Sequence, residues 1–188
     1  TSLMFVSVAR FIDSFNEKIA DVVSWALVAA VVICAGNALL RYGLNMSSNA
    51  WLEIQWYLFS AMFLLAAPHT LKRDEHVRID VIASRYSKRA QAVMDLFGFI
   101  FFLLPVCAII LWYAVPYALL AWQTGEMSMN AGGLPQWPAK MLIPAGFALL
   151  ILQGISEIIK RIAFLTGRIG ADAFGKPASA PADSGAAV

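Results

Sequence analysis

The sequence predicts an all-α integral membrane protein: four transmembrane helices behind an N-terminal amphipathic interfacial helix, with both termini cytoplasmic. Three observations carry that expectation. Of 188 residues, 60% are hydrophobic and only 14% charged, with a mean hydropathy of +0.69; soluble domains run at about 45–50% apolar and about 25% charged. A water-soluble fold of this size could not hide so much apolar surface. The apolar residues gather into four long runs, and lysine and arginine fall very unevenly between those runs. Composition therefore argues against an ordinary soluble enzyme, a disordered chain and a disulfide-stapled module, and a net charge of +2 gives no footing for nucleic acid.

Residues 1–21 place Phe5, Val8, Ile12, Phe15 and Ile19 at three- and four-residue intervals, with Arg10, Asp13, Glu17 and Asp21 elsewhere on the wheel. That pattern suits a helix lying in the inner interface or docking on a partner. The opening Thr1-Ser2 is not followed by a basic segment, a short apolar core and a small-residue cleavage site, so no signal peptide is expected.

A bilayer core about 30 Å thick needs roughly 20 apolar residues in a helix, and backbone facing lipid must satisfy its own hydrogen bonds. Spans are expected at about 22–40, 52–71, 94–121 and 138–158, built on the runs 22–40, 54–71, 96–125 and 141–156. The last reaches full length only if it starts near Trp137 and lets Lys140 snorkel to the interface. In the third, Pro105 and Pro116 share a face, and each removes a backbone donor and can bend the helix. Cys34 and Cys107, both inside apolar runs, read as buried small hydrophobes. The membrane domain is bounded at 22–168, and 169–188, rich in Ala, Pro, Ser and Gly, reads as a disordered cytoplasmic tail.

Orientation follows from the basic residues. Arg10 and Lys18 precede the first span; Lys72, Arg73, Arg78, Arg85, Lys88 and Arg89 separate the second from the third; Lys160, Arg161, Arg168 and Lys176 follow the fourth. Only Arg41 and Lys140 remain for the opposite side, which puts both termini in the cytoplasm. Tyr42, Trp51, Trp122 and Trp137 then fall at outer helix ends, where amphipathic rings favour the headgroup layer.

Few residues invite chemistry. His69 and His76 lie on one segment and cannot grip a haem from opposite sides; with Asp74, Glu75 and Asp80 they read as a solvated helix end, and no metal or other cofactor is expected. There is no Gly-rich phosphate loop, nucleophile elbow or Cys-x-x-Cys pair, so no catalytic residues are assigned. Glu53, near the outer interface, has two readings: a carboxylate coupled to an ion, or an interfacial group, partly wet or paired with Arg41, that fixes helix height. The middle of the spans supplies mainly Asn37, Ser60 and the two cysteines, which leaves a substrate path poorly furnished.

Arg41-Tyr42, then Trp51-Leu52-Glu53, then Arg73 with His76-Val77-Arg78-Ile79-Asp80, resemble the small permease subunit of TRAP (tripartite ATP-independent periplasmic) transporters, DctQ-like. The run Ala131-Gly132-Gly133-Leu134-Pro135-Gln136-Trp137-Pro138 and Gln153-Gly154-Ile155 resemble the mannitol/chloroaromatic-type branch. Ala66-Ala67-Pro68-His69 departs from the family's usual small-residue stretch. The resemblance covers roughly residues 20–168. It implies a bacterial inner-membrane, sodium-coupled transporter in which a periplasmic solute-binding protein delivers an organic acid or related solute to a large permease subunit. The small subunit would brace the large one in the membrane lipid and bind no substrate. Arg41, Trp51 and Glu53 would then set the outer end of the first helix pair, and Arg73, His76, Arg78 and Asp80 the cytoplasmic turn. Gly132, Gly133, Pro135 and Trp137 would face the periplasm, within reach of the binding protein. A self-sufficient small transporter using Glu53 for ion coupling, and a membrane enzyme or haem carrier using His69 or His76, are the competing functions.

Overall fold

The computed structural model describes residues 2–45, 48–73 and 86–167, with side chains from residue 6 onward. His76, Arg78, Asp80 and the tail 169–188 lie outside the described residues. The described chain is helical: α1 (Ser2–Leu44), α2 (Asn49–Lys72), α3 (Lys88–Gly98), a π-helical turn (Phe99–Leu103), α4 (Leu104–Thr124) and α5 (Trp137–Leu165). Four helical runs are long and apolar enough to cross a membrane, with α3, the π turn and α4 forming one of them.

Residues 2–44 form one helix without a break, about 65 Å long at 1.5 Å per residue. The described part of the N-terminal segment, 2–21, is therefore continuous with the first span. Its inward face also differs from the apolar stripe read from the sequence. Ala9, Asn16 and Ala20 are buried, whereas Val8 and Phe15 are each 47% exposed and Phe11 is 72% exposed. Polar partners on α5, described below, draw the Asp13–Asn16 face inward and turn the bulky apolar residues out.

The hub is α5, which packs against α1, α2 and the whole α3–α4 run. Small residues make the contacts close. Cys107, Ala114, Ala118 and Ala121 form a buried stripe on α4, and large apolar groups such as Trp25, Phe63 and Trp112 point outward. Where hydrocarbon surrounds the helices, packing and hydrogen bonds drive association, and small interfacial residues let backbones approach. At Gly146 an added Cβ would sit 2.8 Å from Leu64 Cβ and 2.9 Å from the Leu64 carbonyl oxygen. At Gly154 the neighbour is Leu103 Cδ2, at 2.7 Å, the end of a flexible side chain.

Two expectations need correction. Cys34 is exposed on the side of α1, and only Cys107 is buried; α1 has neighbours on too few sides to enclose its whole circumference. The interior is also not poor in polar groups: Asn16, Asn37, Gln153, Ser156, Glu157, Lys160 and Arg161 are all buried. Lys160 and Arg161 read as flanking charges because they follow an apolar run, but α5 continues past them to Leu165 and packs them against α1 and α3.

The difference between the two glycines is testable. Gly146→Ala should destabilise the protein by about 1–3 kcal/mol, as overpacking against a backbone does, and Gly154→Ala by distinctly less, in thermal or denaturant unfolding followed in detergent.

Candidate functional site

Two polar assemblies stand at opposite ends of the bundle. The one at the loop end, named outer after the orientation that the basic residues predict, begins where α4 stops at Gly125, whose left-handed backbone (φ +60°) suits glycine at a helix C-cap. Residues 126–136 then fold into a small antiparallel loop. The Gln136 amide donates to the Glu126 carbonyl at 2.8 Å, the Ser128 amide to Leu134 at 3.0 Å and the Gly133 amide to Asn130 at 3.0 Å. Gly132 takes φ +71° in the turn.

One face of α2 grips this loop. Asn49, Glu53 and Tyr57 recur every four residues and so lie one above another. The Asn49 amide donates to the Ala131 carbonyl at 2.9 Å, and the Tyr57 hydroxyl to the Pro135 carbonyl at 2.6 Å. Between them, Glu53 accepts from the Leu134 amide at 2.6 Å, from Asn130 Nδ2 at 3.0 Å and from the Ser128 hydroxyl. Gly133 is compelled by closeness: a Cβ there would lie 2.5 Å from Ser128 Cβ and 2.8 Å from Glu53 Oε1. The flanks are fixed as well. Trp122 and Trp137 meet edge to face with centroids 4.3 Å apart. Lys140 pairs with Glu126 and lies over the Tyr117 ring, 4.3 Å from its centroid.

Glu53, Gly132, Gly133, Pro135 and Trp137 thus come together in one outer latch. Arg41 is not part of it: it is exposed in the last turn of α1, and the Glu53 carboxylate takes its donors from the loop. Trp51 is 45% exposed in the first turn of α2. At the other end of α2, the Arg73 amide closes the helix on the His69 carbonyl at 3.1 Å. Nearby, Lys72 pairs with Glu17 of α1 at 3.0 Å.

The inner assembly was not foreseen from the sequence. Gln153 Nε2 donates to Asp13 Oδ1 at 2.8 Å and to Glu157 Oε1 at 3.1 Å, while Gln153 Oε1 accepts from Asn16 at 2.7 Å. The Ser156 hydroxyl lies 2.8 Å from Asp13 Oδ1 and 3.1 Å from the Ala9 carbonyl. Lys160 bridges Asp13, at 3.0 Å, and Glu157. Arg161, with 0% exposure, pairs with Glu157 and with Asp95 of α3 at 3.2 Å.

Phe99 opens the π turn and places its ring 4.6 Å from the Arg161 guanidinium carbon, a cation–π contact. The Leu104 amide reaches back five residues to Phe99, widening the helix one residue before Pro105. One sequence signal could have revealed this knot: Gln153, Ser156, Glu157, Lys160 and Arg161 repeat at helical spacing along one stripe of α5. Among the described residues, no three His, Cys, Asp or Glu side chains gather as a metal would require.

Over residues 29–164 the sequence matches the family model described as tripartite ATP-independent periplasmic transporters, DctQ component. The chain belongs to that family. Comparison with curated proteins and with solved structures gives no match. A DctQ component is a small membrane subunit of a TRAP transporter, and the family is a transporter component rather than an enzyme family. Four helices able to span a bilayer make this one a multi-pass membrane protein.

Both assemblies predict measurable losses. Glu53→Gln and Gly133→Ala should each speed hydrogen exchange at the Leu134 amide at least about tenfold while leaving exchange in α5 unchanged. Arg161→Leu, which strands buried carboxylates, should cost about 3–5 kcal/mol. Lys72→Met, which breaks a partly exposed pair, should stay within about 1 kcal/mol. Denaturation of the purified protein in detergent reads both.

Proposed function

We propose that this chain is the non-catalytic scaffold subunit of a sodium-coupled TRAP transporter, bracing a large permease subunit that itself carries the solute and ion sites. The observation that carries the reading is where the polar groups lie. Carboxylates and cations cluster at the two ends of the bundle and are engaged with one another or with the outer loop. A solute crossing by way of this chain needs polar groups near the midplane. Here that zone holds mainly Asn37, Cys34, Ser60 and Cys107 amid apolar residues, and Gln153, the deepest member of the inner knot, is already bonded to Asp13, Asn16 and Glu157. Glu53 as an ion-coupling acid draws no support from its position, because both carboxylate oxygens already hold the loop.

In this reading the protein lies in the bacterial inner membrane with both termini cytoplasmic and its flanks in membrane lipid. A periplasmic binding protein supplies an organic acid or related solute to the complex. The latch, with Gly132, Gly133, Pro135 and Trp137, faces the periplasm and offers that protein a preformed surface. Arg73, His76, Arg78 and Asp80 shape the cytoplasmic turn. The resemblance of the loop sequence supports membership in the mannitol/chloroaromatic-type branch, a label that carries no statement about the solute.

The test is reconstitution. Liposomes holding this chain alone should show no solute accumulation under a sodium gradient. Liposomes holding it with the large subunit, given binding protein and solute, should accumulate the solute, and omission of this chain should abolish uptake. Accumulation by the isolated chain, lost in Glu53→Gln, would establish the self-sufficient transporter instead.

A further inference from the structure

A groove runs along the outside of the α1–α2 pair. Its outer stretch lies between Ala30 and Cys34 on α1 and Gln55 and Ser60 on α2. Its inner stretch lies between Ser24 on α1 and Ala66, Ala67 and Thr70 on α2, and Leu27 lines both. From Ser24 to Cys34 the groove follows α1 for about 15 Å at 1.5 Å per residue. Along α2 it is edged by Trp56, Phe59 and Phe63, exposed by 75%, 59% and 67%.

An amide side chain sets this face apart from the exposed middle of α4. Gln55 Nε2 is shut away from solvent and has no hydrogen-bond partner, and beside it lie the Ser60 hydroxyl and the exposed Cys34 thiol. Gln55 is one helical turn inward of Trp51, about 6 Å toward the bilayer centre. An unsatisfied amide is costly there, and a lipid acyl chain has no acceptor to offer it. By contrast, the middle of α4 exposes Val106, Ile109 and Trp112 with no amide or carboxyl group among them, a surface that hydrocarbon suits. Transmembrane helices associate through small residues that admit a neighbouring backbone and through polar side chains that bond across the contact. Ala30, Ala66 and Ala67 supply the first and Gln55 the second, since the soft terminal torsion of its amide can turn the donor into the groove.

We propose that the α1–α2 groove receives a transmembrane helix of the large permease subunit, with the Gln55 amide hydrogen-bonding across the contact. The inference rests on the scaffold reading above and adds to it the face that does the bracing.

The large subunit, expressed together with this chain and carrying an affinity tag, provides the test. A benzophenone amino acid replaces Phe59 in one variant and Trp112 in another. On irradiation, position 59 should yield an adduct with the combined mass of the two subunits, and position 112 should not. Gln55→Leu should lower recovery of the complex roughly three- to twentyfold, the worth of one interhelical hydrogen bond. The isolated variant should unfold no earlier than the parent. If the complex forms but position 59 captures only phospholipid, or position 112 captures the large subunit in its place, the groove is not the docking face and the scaffold reading survives. If the two subunits do not co-purify at all, the scaffold reading falls and this inference falls with it.

Discussion

A guanidinium cannot shed its proton to escape a dry environment. Arg161 is fully enclosed, so fixed partners must answer its charge, and the partners come from different parts of the chain: Glu157 one turn away, Asp95 from α3 and the face of Phe99 from the π turn. Lys160 imposes the same demand on Asp13 of α1. Apolar helices can slide and rotate against one another at small cost, because lipid and leucine are equally greasy. A buried charge that must meet a carboxylate at hydrogen-bond distance cannot. The inner knot therefore sets the register of α1, α3 and α5 as apolar packing alone would not.

The outer latch applies similar logic with neutral donors. Glu53 meets a backbone amide, a side-chain amide and a hydroxyl instead of a cation. Those donors pin a short irregular loop to the end of α2, with Gly133 making room for the carboxylate. Irregular backbone near a bilayer carries unpaired polar groups that must be met, and here the loop's own hydrogen bonds and the Asn49–Glu53–Tyr57 face meet many of them.

The large-scale architecture was legible in the sequence because it follows from one-dimensional quantities. Four apolar runs of adequate length give four helices, and residues such as Trp51, Glu53 and Gly133 stood out by type and place. What escaped was the pairing between distant residues. Lys160 and Arg161 looked like flanking charges because nothing local shows that Asp13 and Asp95 will face them. The stripe of Phe5, Val8, Ile12, Phe15 and Ile19 suggested an amphipathic helix for the interface or a partner, but it did not show which face would turn inward: Ala9, Asn16 and Ala20 pack inside while Val8 and Phe15 point outward. The π turn was equally hidden, since Pro105 marks a disturbance without specifying its form. Glu53 was noticed as an acid, but its loop donors became visible only in three dimensions.

The unbroken course of α1 has a mechanical consequence. Between Asp13 and Cys34 the helix contains neither proline nor glycine, a stretch of about 31 Å at 1.5 Å per residue. A rod of that kind resists twisting within itself. Whatever clamps Asp13 also fixes the azimuth at which Ala30 and Cys34 emerge on the far half of the shaft. Torque applied at the Asp13 end would arrive there as a change in which side chains the α1–α2 flank presents.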